Sequence, residues 1–276
     1  MANHPLVTIY ITTKNRCHLL KRAIDSALNQ TWSNTEIIVC DDGSTDNTEE
    51  LLKEYKAKYS NFNYLRNNES SGACVSRNRA MKEAKGEYIT GLDDDDYFLP
   101  NRVATLVDAY NDNYAFVCSS YYRKTNEKVR LVKDGIGKLK LSDLLHYNKV
   151  GNQVLTKTSR FRDVGGFDET LPAFQDYDMW VRLQNKFGSS LKIKEPSYIF
   201  DISHDNDRIS GSSQKVIQGY KIFLAKHQNL MSKKHLKSMQ LLNLVIHKTP
   251  LNIFDVFRLC NSGNYKSVLS NLLKRN

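Results

Sequence analysis

The chain has 276 residues, 40% of them hydrophobic, and 40 Lys and Arg against 30 Asp and Glu, for a net charge of +10. That length and apolar content suit one large domain with an appendage and exclude a disordered or fibrous chain. The charge is confined to the end: residues 213–276 hold eleven Lys and Arg against one acid, Asp255, which leaves 29 of each sign in the first 212 residues and gives no indication of a nucleic-acid-binding body.

Val7–Thr13 is a β-branched run that predicts a first strand, and Leu20, Ala23, Ile24, Ala27 and Leu28, recurring at three and four, predict a helix over 19–28. A second strand over 36–40 ends in the polar Asp41-Asp42-Gly43-Ser44-Thr45-Asp46-Asn47. Asp46 or Asn47 can cap a helix over 48–59, with Glu49 and Glu50 favourably placed in its first turn. A short strand over 63–66, a helix over 73–84 opened by Gly72, and a strand over 88–92 follow. The last of these runs straight into Asp93, Asp94, Asp95 and Asp96. Pro100 starts a helix over 102–110, and residues 115–121 are again strand-like. Between 124 and 162 the pattern predicts an excursion with a strand near 153–157. After the turn Gly165-Gly166-Phe167 come a helix over 177–187 and a strand over 198–203. The last sixty or so residues are helical, interrupted by Pro250, and no internal repeat or low-complexity linker is present.

Short β-branched runs alternating with helical segments predict an α/β fold, and clustered acids or hydroxyls at three strand ends predict a ligand cleft at the carboxyl edge of the sheet. Cys17, Cys40, Cys74, Cys118 and Cys260 are odd in number and lack CxxC spacing, so neither a disulfide framework nor a zinc site is expected. The start, MANHPLVTIY, lacks the basic-then-apolar pattern of a leader, and no apolar run approaches the roughly 18 residues that span a bilayer. The expectation is a cytoplasmic protein, or one held at a membrane from the cytoplasmic side.

Four adjacent carboxylates at the end of a buried strand repel one another unless a cation neutralises them, and oxygen-only ligands point to Mg²⁺ or Mn²⁺. The alternative is a solvated acidic turn capping the helix after Pro100. At the end of the second strand, Asp42 can accept the N3–H of a uracil ring beside the Gly43-Ser44 turn, or the segment is only a turn and helix cap. Asp176, followed by Asp178 and Trp180, stands at the start of an amphipathic helix, where it can be a cap or a chemical group. His204 lies just past a strand in a polar segment with Arg208 and Ser210, as a structural hydrogen-bonder or a ligand. In the tail, Val216, Tyr220, Phe223 and Leu224 share a helical face among scattered lysines. That face suits an anionic membrane surface or packing on the body.

The succession VTIYITTKNR, NQTWSNTEIIVCDDGSTDNT, SGACVSRNRA, GEYITGLDDDDYFLPNR, GGFDE and DYDMWVRL resembles family 2 glycosyltransferases of the GT-A fold over roughly residues 6–210. The resemblance implies a mixed, mainly parallel Rossmann-like sheet flanked by helices. A nucleotide-binding half would cover about 1–100, an acceptor half about 101–212, and a basic helical C-terminal extension 213–276. It implies that Thr12 and Asp42 hold the nucleotide base, that Arg77 meets the donor diphosphate or ribose, and that Asp93 and Asp95 form the DxD pair with Asp94 in the same donor site. Asp95 and His204 would hold Mn²⁺ or Mg²⁺, Arg208 the pyrophosphate, and Asp176 would be the general base, with Asp178 second to it. Lys14 departs from the aromatic residue usual there. The implied activity is inverting transfer of a hexose or N-acetylhexosamine from a UDP-sugar to a hydroxyl, expected in O-antigen, capsule or lipooligosaccharide synthesis. The acceptor would be a lipid-linked glycan, such as one on undecaprenyl diphosphate, at the cytoplasmic face of the inner membrane.

Two competing functions are weaker. A nucleotidyltransferase needs a glycine-rich basic phosphate loop after the first strand, and TTKNRCHLL has no glycine. A catalytically silent scaffold of the same fold would be expected to have lost one of Asp42, Asp95 or Asp176.

Overall fold

A computed structural model describes residues 4–151, 153–204 and 213–265. In chain order these form β1 (Val7–Thr13), α1 (Cys17–Leu28), β2 (Thr35–Asp41), α2 (Thr48–Lys58), β3 (Phe62–Arg66), α3 (Ala73–Glu83) and β4 (Tyr88–Asp93). Next come β5 (Tyr97–Phe98), α4 (Arg102–Ala109), β6 (Val117–Lys124), β7 (Val129–Val132), β8 (Gly137–Leu139), α5 (Leu141–Leu144), β9 (Leu155–Lys157) and α6 (Thr158–Asp163). Then follow α7 (Gln175–Phe187), β10 (Ser190–Asp201), α8 (Ser213–His227), α9 (Lys233–Ile246) and α10 (Ile253–Leu259).

Among the described residues all the strands join one sheet, in the order β3-β2-β1-β4-β9-β6-β10-β5, with β7 on β6 and β8 on β10. The first four are parallel, and β9 enters antiparallel to both β4 and β6. Alternation along β1 divides the core. Val7, Ile9 and Ile11 face Leu20, Ala23 and Ile24 of α1 and Leu52 of α2, while Tyr10 faces the side of Phe161, Phe167 and Trp180. Register then builds the site: Thr12 pairs with Cys40 on one side and Asp93 on the other, and Thr13 with Asp41. Three separate sequence motifs therefore finish level on one rim.

Most boundaries agree with expectation to within a few residues. β5, β7, β8, α5 and α6 are not foreseen by the sequence pattern, and the strand expected over 198–203 is the second half of a twelve-residue strand, Ser190–Asp201. Its first half reads as polar because of Lys192, Lys194 and Glu195, yet Lys192 is 2% exposed and donates to the Lys149 carbonyl at 2.7 Å. Pairing with β6 also breaks register around Pro196, as a residue without an N–H must.

α8 does not stand off from the body. Tyr220 and Phe223 are buried, and the Phe223 ring lies 4.3 Å from Tyr177 and 5.6 Å from Phe174 between centroids. The apolar face anticipated for a membrane is thus packed against the start of α7. No described helix is long and apolar enough to cross a membrane.

Candidate active site

The four consecutive acids after β4 have different environments. Asp93 Oδ1 accepts from Arg77 Nη2 at 3.1 Å and from Gln153 Nε2 at 3.0 Å. Asp94 accepts from Thr13 Oγ1 at 2.7 Å and from Arg16 Nη1 at 3.0 Å, and the same Nη1 lies 3.3 Å from Asp95 Oδ2. Asp96 is fully buried and accepts from the Tyr198 hydroxyl and the Asp201 amide. The solvated-turn alternative is therefore corrected: Asp94, Asp95 and Asp96 are all buried, and Asn101 occupies the cap position of α4. Burial pushes the Asp94 carboxyl up to about 6 against the pull of Arg16, and burial beside Asp93 and Asp95 raises Asp96 well above the usual range.

Beyond β10, His204 Nε2 lies 3.8 Å from Asp95 Oδ2. Three residues earlier, the Asp201 carboxylate accepts from the Ser203 amide at 2.9 Å and meets Arg22 at 2.7 Å and Lys124 at 3.0 Å, while Arg22 also donates to the Asp95 carbonyl at 2.6 Å. Among the described residues no three His, Cys, Asp or Glu converge to cage an ion. Mg²⁺ and Mn²⁺ are commonly held by one or two carboxylates together with water and substrate phosphate, and an Asp–His pair at this spacing fits an ion that arrives with a diphosphate. Arg208 lies outside the described residues.

At the end of β2, Asp42 has both oxygens engaged. It accepts from Asn67 Nδ2, Ser71 N and Ser76 Oγ on one oxygen and from Ser70 Oγ and Gly72 N on the other, at 2.7–3.2 Å. Burial alone would raise this carboxyl, but those donors hold it below the ordinary value. Gly43, at φ +71°, lets the 67–72 segment approach, since a Cβ there would lie 3.2 Å from the backbone of Glu69 and Ser70. The turn-and-cap alternative is also present, because Asp46 accepts the Thr48 amide at 3.2 Å beside Asn47 at the cap of α2. Thr12 is half-buried on the same rim and Lys14 is exposed.

Arg77, on α3, connects the two sides of the cleft. Besides Asp93 it reaches Gln175 Oε1 at 2.9 Å and Asp176 Oδ1 at 3.5 Å, with its guanidinium 5.1 Å above the Phe167 ring. Asp176 is not a helix cap: Phe174, at φ +67°, holds that position and Asp176 sits in the first turn. Burial raises the Asp176 carboxyl to about 7, with Arg77 opposing and Asp93 reinforcing. Asp178 has partners of its own, apart from Arg77 and Asp93. Its side chain is fully buried, held by Arg182 at 2.7 Å, His227 at 2.8 Å and Lys226 at 2.9 Å. Burial would raise that carboxyl too, but these partners keep it below the ordinary range.

Two residues that motif reading does not single out join the site. Arg16 is held against Asp94 and Asp95, and Gln153 reaches Asp93 while accepting from the Tyr10 hydroxyl at 3.2 Å. The available signal for Gln153 is Gly91 inside β4, where a Cβ would fall 2.1 Å from Gln153 Oε1 and 2.5 Å from the Tyr10 hydroxyl.

The family model "Glycosyl transferase family 2" matches residues 8–167. WcaA of Escherichia coli strain K12, named as a colanic acid biosynthesis glycosyl transferase, is 37% identical over 241 residues, 83% of this chain and 84% of that protein. S. aureus TarS 1–349 in complex with UDP-GlcNAc is similar with a TM-score of 0.66 at 17% identity, over 96% of this chain and 79% of that one. The mannosyltransferase PcManGT from Pyrobaculum calidifontis, in complex with GDP-Man and Mn²⁺, has a TM-score of 0.58 at 14% identity, over 100% and 89%. At such identities the two structures speak for the fold, which is the mixed, mainly parallel α/β sheet expected.

Proposed function

This chain belongs to glycosyl transferase family 2, and we propose that it transfers a hexose or N-acetylhexosamine from a UDP-sugar to an acceptor hydroxyl, with inversion, in surface-polysaccharide assembly. The observation that carries the proposal is Arg77, one buried guanidinium within 3.1 Å of Asp93 and 3.5 Å of Asp176. A cation for the diphosphate and a carboxylate for the acceptor thus meet in one cleft.

In this scheme Asp176 accepts the acceptor's hydroxyl proton as the acceptor oxygen bonds to the anomeric carbon, and the bond from that carbon to the phosphate oxygen breaks. Arg77 and Arg16 face the charge that UDP carries away. A divalent ion on Asp95 and His204 would supply further neutralisation of that leaving group. Asp178 is sealed beneath α8 and Asp93 is engaged by Arg77 and Gln153, which leaves Asp176 as the carboxylate for the acceptor and favours a single displacement and inversion. Thr12 and the Asp42-held loop line the base pocket, where Asp42 acts mainly by fixing Ser70, Ser71 and Gly72. The neighbour that binds UDP-GlcNAc supports the choice of uracil. The name of WcaA supports a glycan acceptor, for which we favour a lipid-linked glycan at the cytoplasmic membrane face.

Calorimetry of UDP binding with Mn²⁺ and with EDTA tests the donor half. Binding should need the ion, because the diphosphate otherwise meets Asp93, Asp94 and Asp95. Equal affinity in both removes the ion from the scheme. A screen of UDP-, GDP- and TDP-sugars by thermal stabilisation tests the base, and preference for GDP or TDP would overturn the uracil assignment.

A further inference from the structure

The tail's predicted apolar face is consumed by α8, so the remaining exposed apolar surface lies elsewhere. On α10, Phe254 and Phe257 stand one helical turn apart and are 79% and 81% exposed. Leu259 of the same helix is fully buried in a small cluster with Leu241 and Leu251, so α10 is anchored and the two rings point away from its anchor. All eight Lys and Arg of the described residues 213–265 are exposed. The only carboxylate among them, Asp255, lies 3.1 Å from Arg258. Two aromatic rings thus protrude from a segment in which eight cations stand against one acid, with Lys226 reaching back to Asp168 and Asp178 of the body.

We propose that α10 and the basic surface around it dock on an anionic lipid bilayer, with Phe254 and Phe257 seated at the boundary between headgroups and acyl chains. Two aromatic side chains offer roughly 150–250 Å² each, well short of the roughly 800 Å² per partner that a stable protein interface buries. A second copy would also bring Lys248 and Arg258 against their own kind. A bilayer asks for less: shallow aromatic anchors plus cations, each of which strengthens binding to an anionic surface about fivefold. α10 packs on α9, α9 on α8, and α8 on the start of α7, so the docked face is joined through packed helices to the element that carries Asp176.

This inference deepens the lipid-linked acceptor proposal, and its test reads vesicle binding rather than transfer, so either can fail alone. The full chain is sedimented with phosphatidylcholine vesicles and with vesicles in which roughly a third of the lipid is phosphatidylglycerol. The wild type should bind the second kind and release at high salt. Phe254→Ser with Phe257→Ser should weaken that binding at least about tenfold, at unchanged UDP affinity. Equal vesicle binding by the double variant overturns the proposal, and so does a dimer that dissociates in the double variant while vesicle binding is kept. Should the double variant not fold, Phe257→Trp keeps the apolar face. Its emission should shift to the blue with anionic vesicles, and no shift overturns the proposal.

Discussion

Arg16 occupies the place from which a divalent ion would have to be reached, which makes its removal informative with a sign opposite to the usual loss of function. Its Nη1 lies 3.0 Å from Asp94 Oδ1 and 3.3 Å from Asp95 Oδ2, with about a fifth of its side chain exposed and its partners nearly enclosed. Charge-assisted hydrogen bonds of this kind are worth about 1.5–3 kcal/mol, and an ion entering at Asp95 must displace at least one. Arg16→Met keeps the apolar stem and removes the competitor, so Mn²⁺ affinity without nucleotide should rise by roughly 10- to 100-fold. The assay is calorimetric titration of Mn²⁺ at pH 8. Asp94 is already raised to about 6 while Arg16 pulls it down. Without Arg16 its pKa climbs further, and at lower pH a proton would take the place of the lost guanidinium. Donor affinity in saturating Mn²⁺ should fall in the same variant, because the diphosphate loses a cation. Mn²⁺ affinity that is unchanged or weaker at pH 8, in a variant that melts normally, refutes the reasoning.

Asp176→Asn should lower turnover by about 10²–10⁴-fold with UDP affinity within a few-fold, whereas Asp95→Asn should lose Mn²⁺-dependent UDP binding and turnover together; near wild-type transfer by the first would strip Asp176 of its role. At subsaturating donor the transfer rate should rise with pH through about 7 and then level, since a base raised by burial must be ionised to work. The same shift works against stability: the protonated carboxyl favours the fold at low pH, and that contribution is lost as pH rises through about 7, so Asp176→Asn should flatten this part of a melting-temperature profile. Phe223→Ala, at a fully buried position, should cost about 3–5 kcal/mol in chemical denaturation and also slow transfer, because Phe223 packs on Phe174 and Tyr177 at the start of α7.

Much of the fold is legible because β1 and β2 are rich in β-branched residues, β4 is a short, largely apolar run ending in acids, and α1 carries a clean apolar stripe. β10 hides half its length, since the buried Lys192 satisfies its ammonium with the Lys149 carbonyl, a partner that sequence spacing cannot supply. In the site, the resemblance nominates Asp93, Asp95, Arg77 and Asp176 by motif, and the structure brings Arg77 to both Asp93 and Asp176. What motifs cannot convey is division of labour. Asp96 is spent on Tyr198 and the Asp201 amide, and Asp178 is held by two residues of α8, about fifty positions away. Arg16 and Gln153 escape notice for a similar reason, each becoming meaningful only when strand register sets it beside the acids.

The sharing of Arg77 couples donor binding to the basicity of Asp176. A guanidinium that serves Asp93 and Asp176 together cannot be drawn toward an incoming diphosphate without loosening its hold on Asp176. Since Arg77 is the influence that keeps the Asp176 pKa down, any donor that recruits it leaves Asp176 more strongly basic than in the resting protein. Donor occupancy and proton affinity are then thermodynamically linked, and by reciprocity protonation of Asp176 must tighten donor binding by the same factor. In the protein without its nucleotide, Asp176 is accordingly the less basic group.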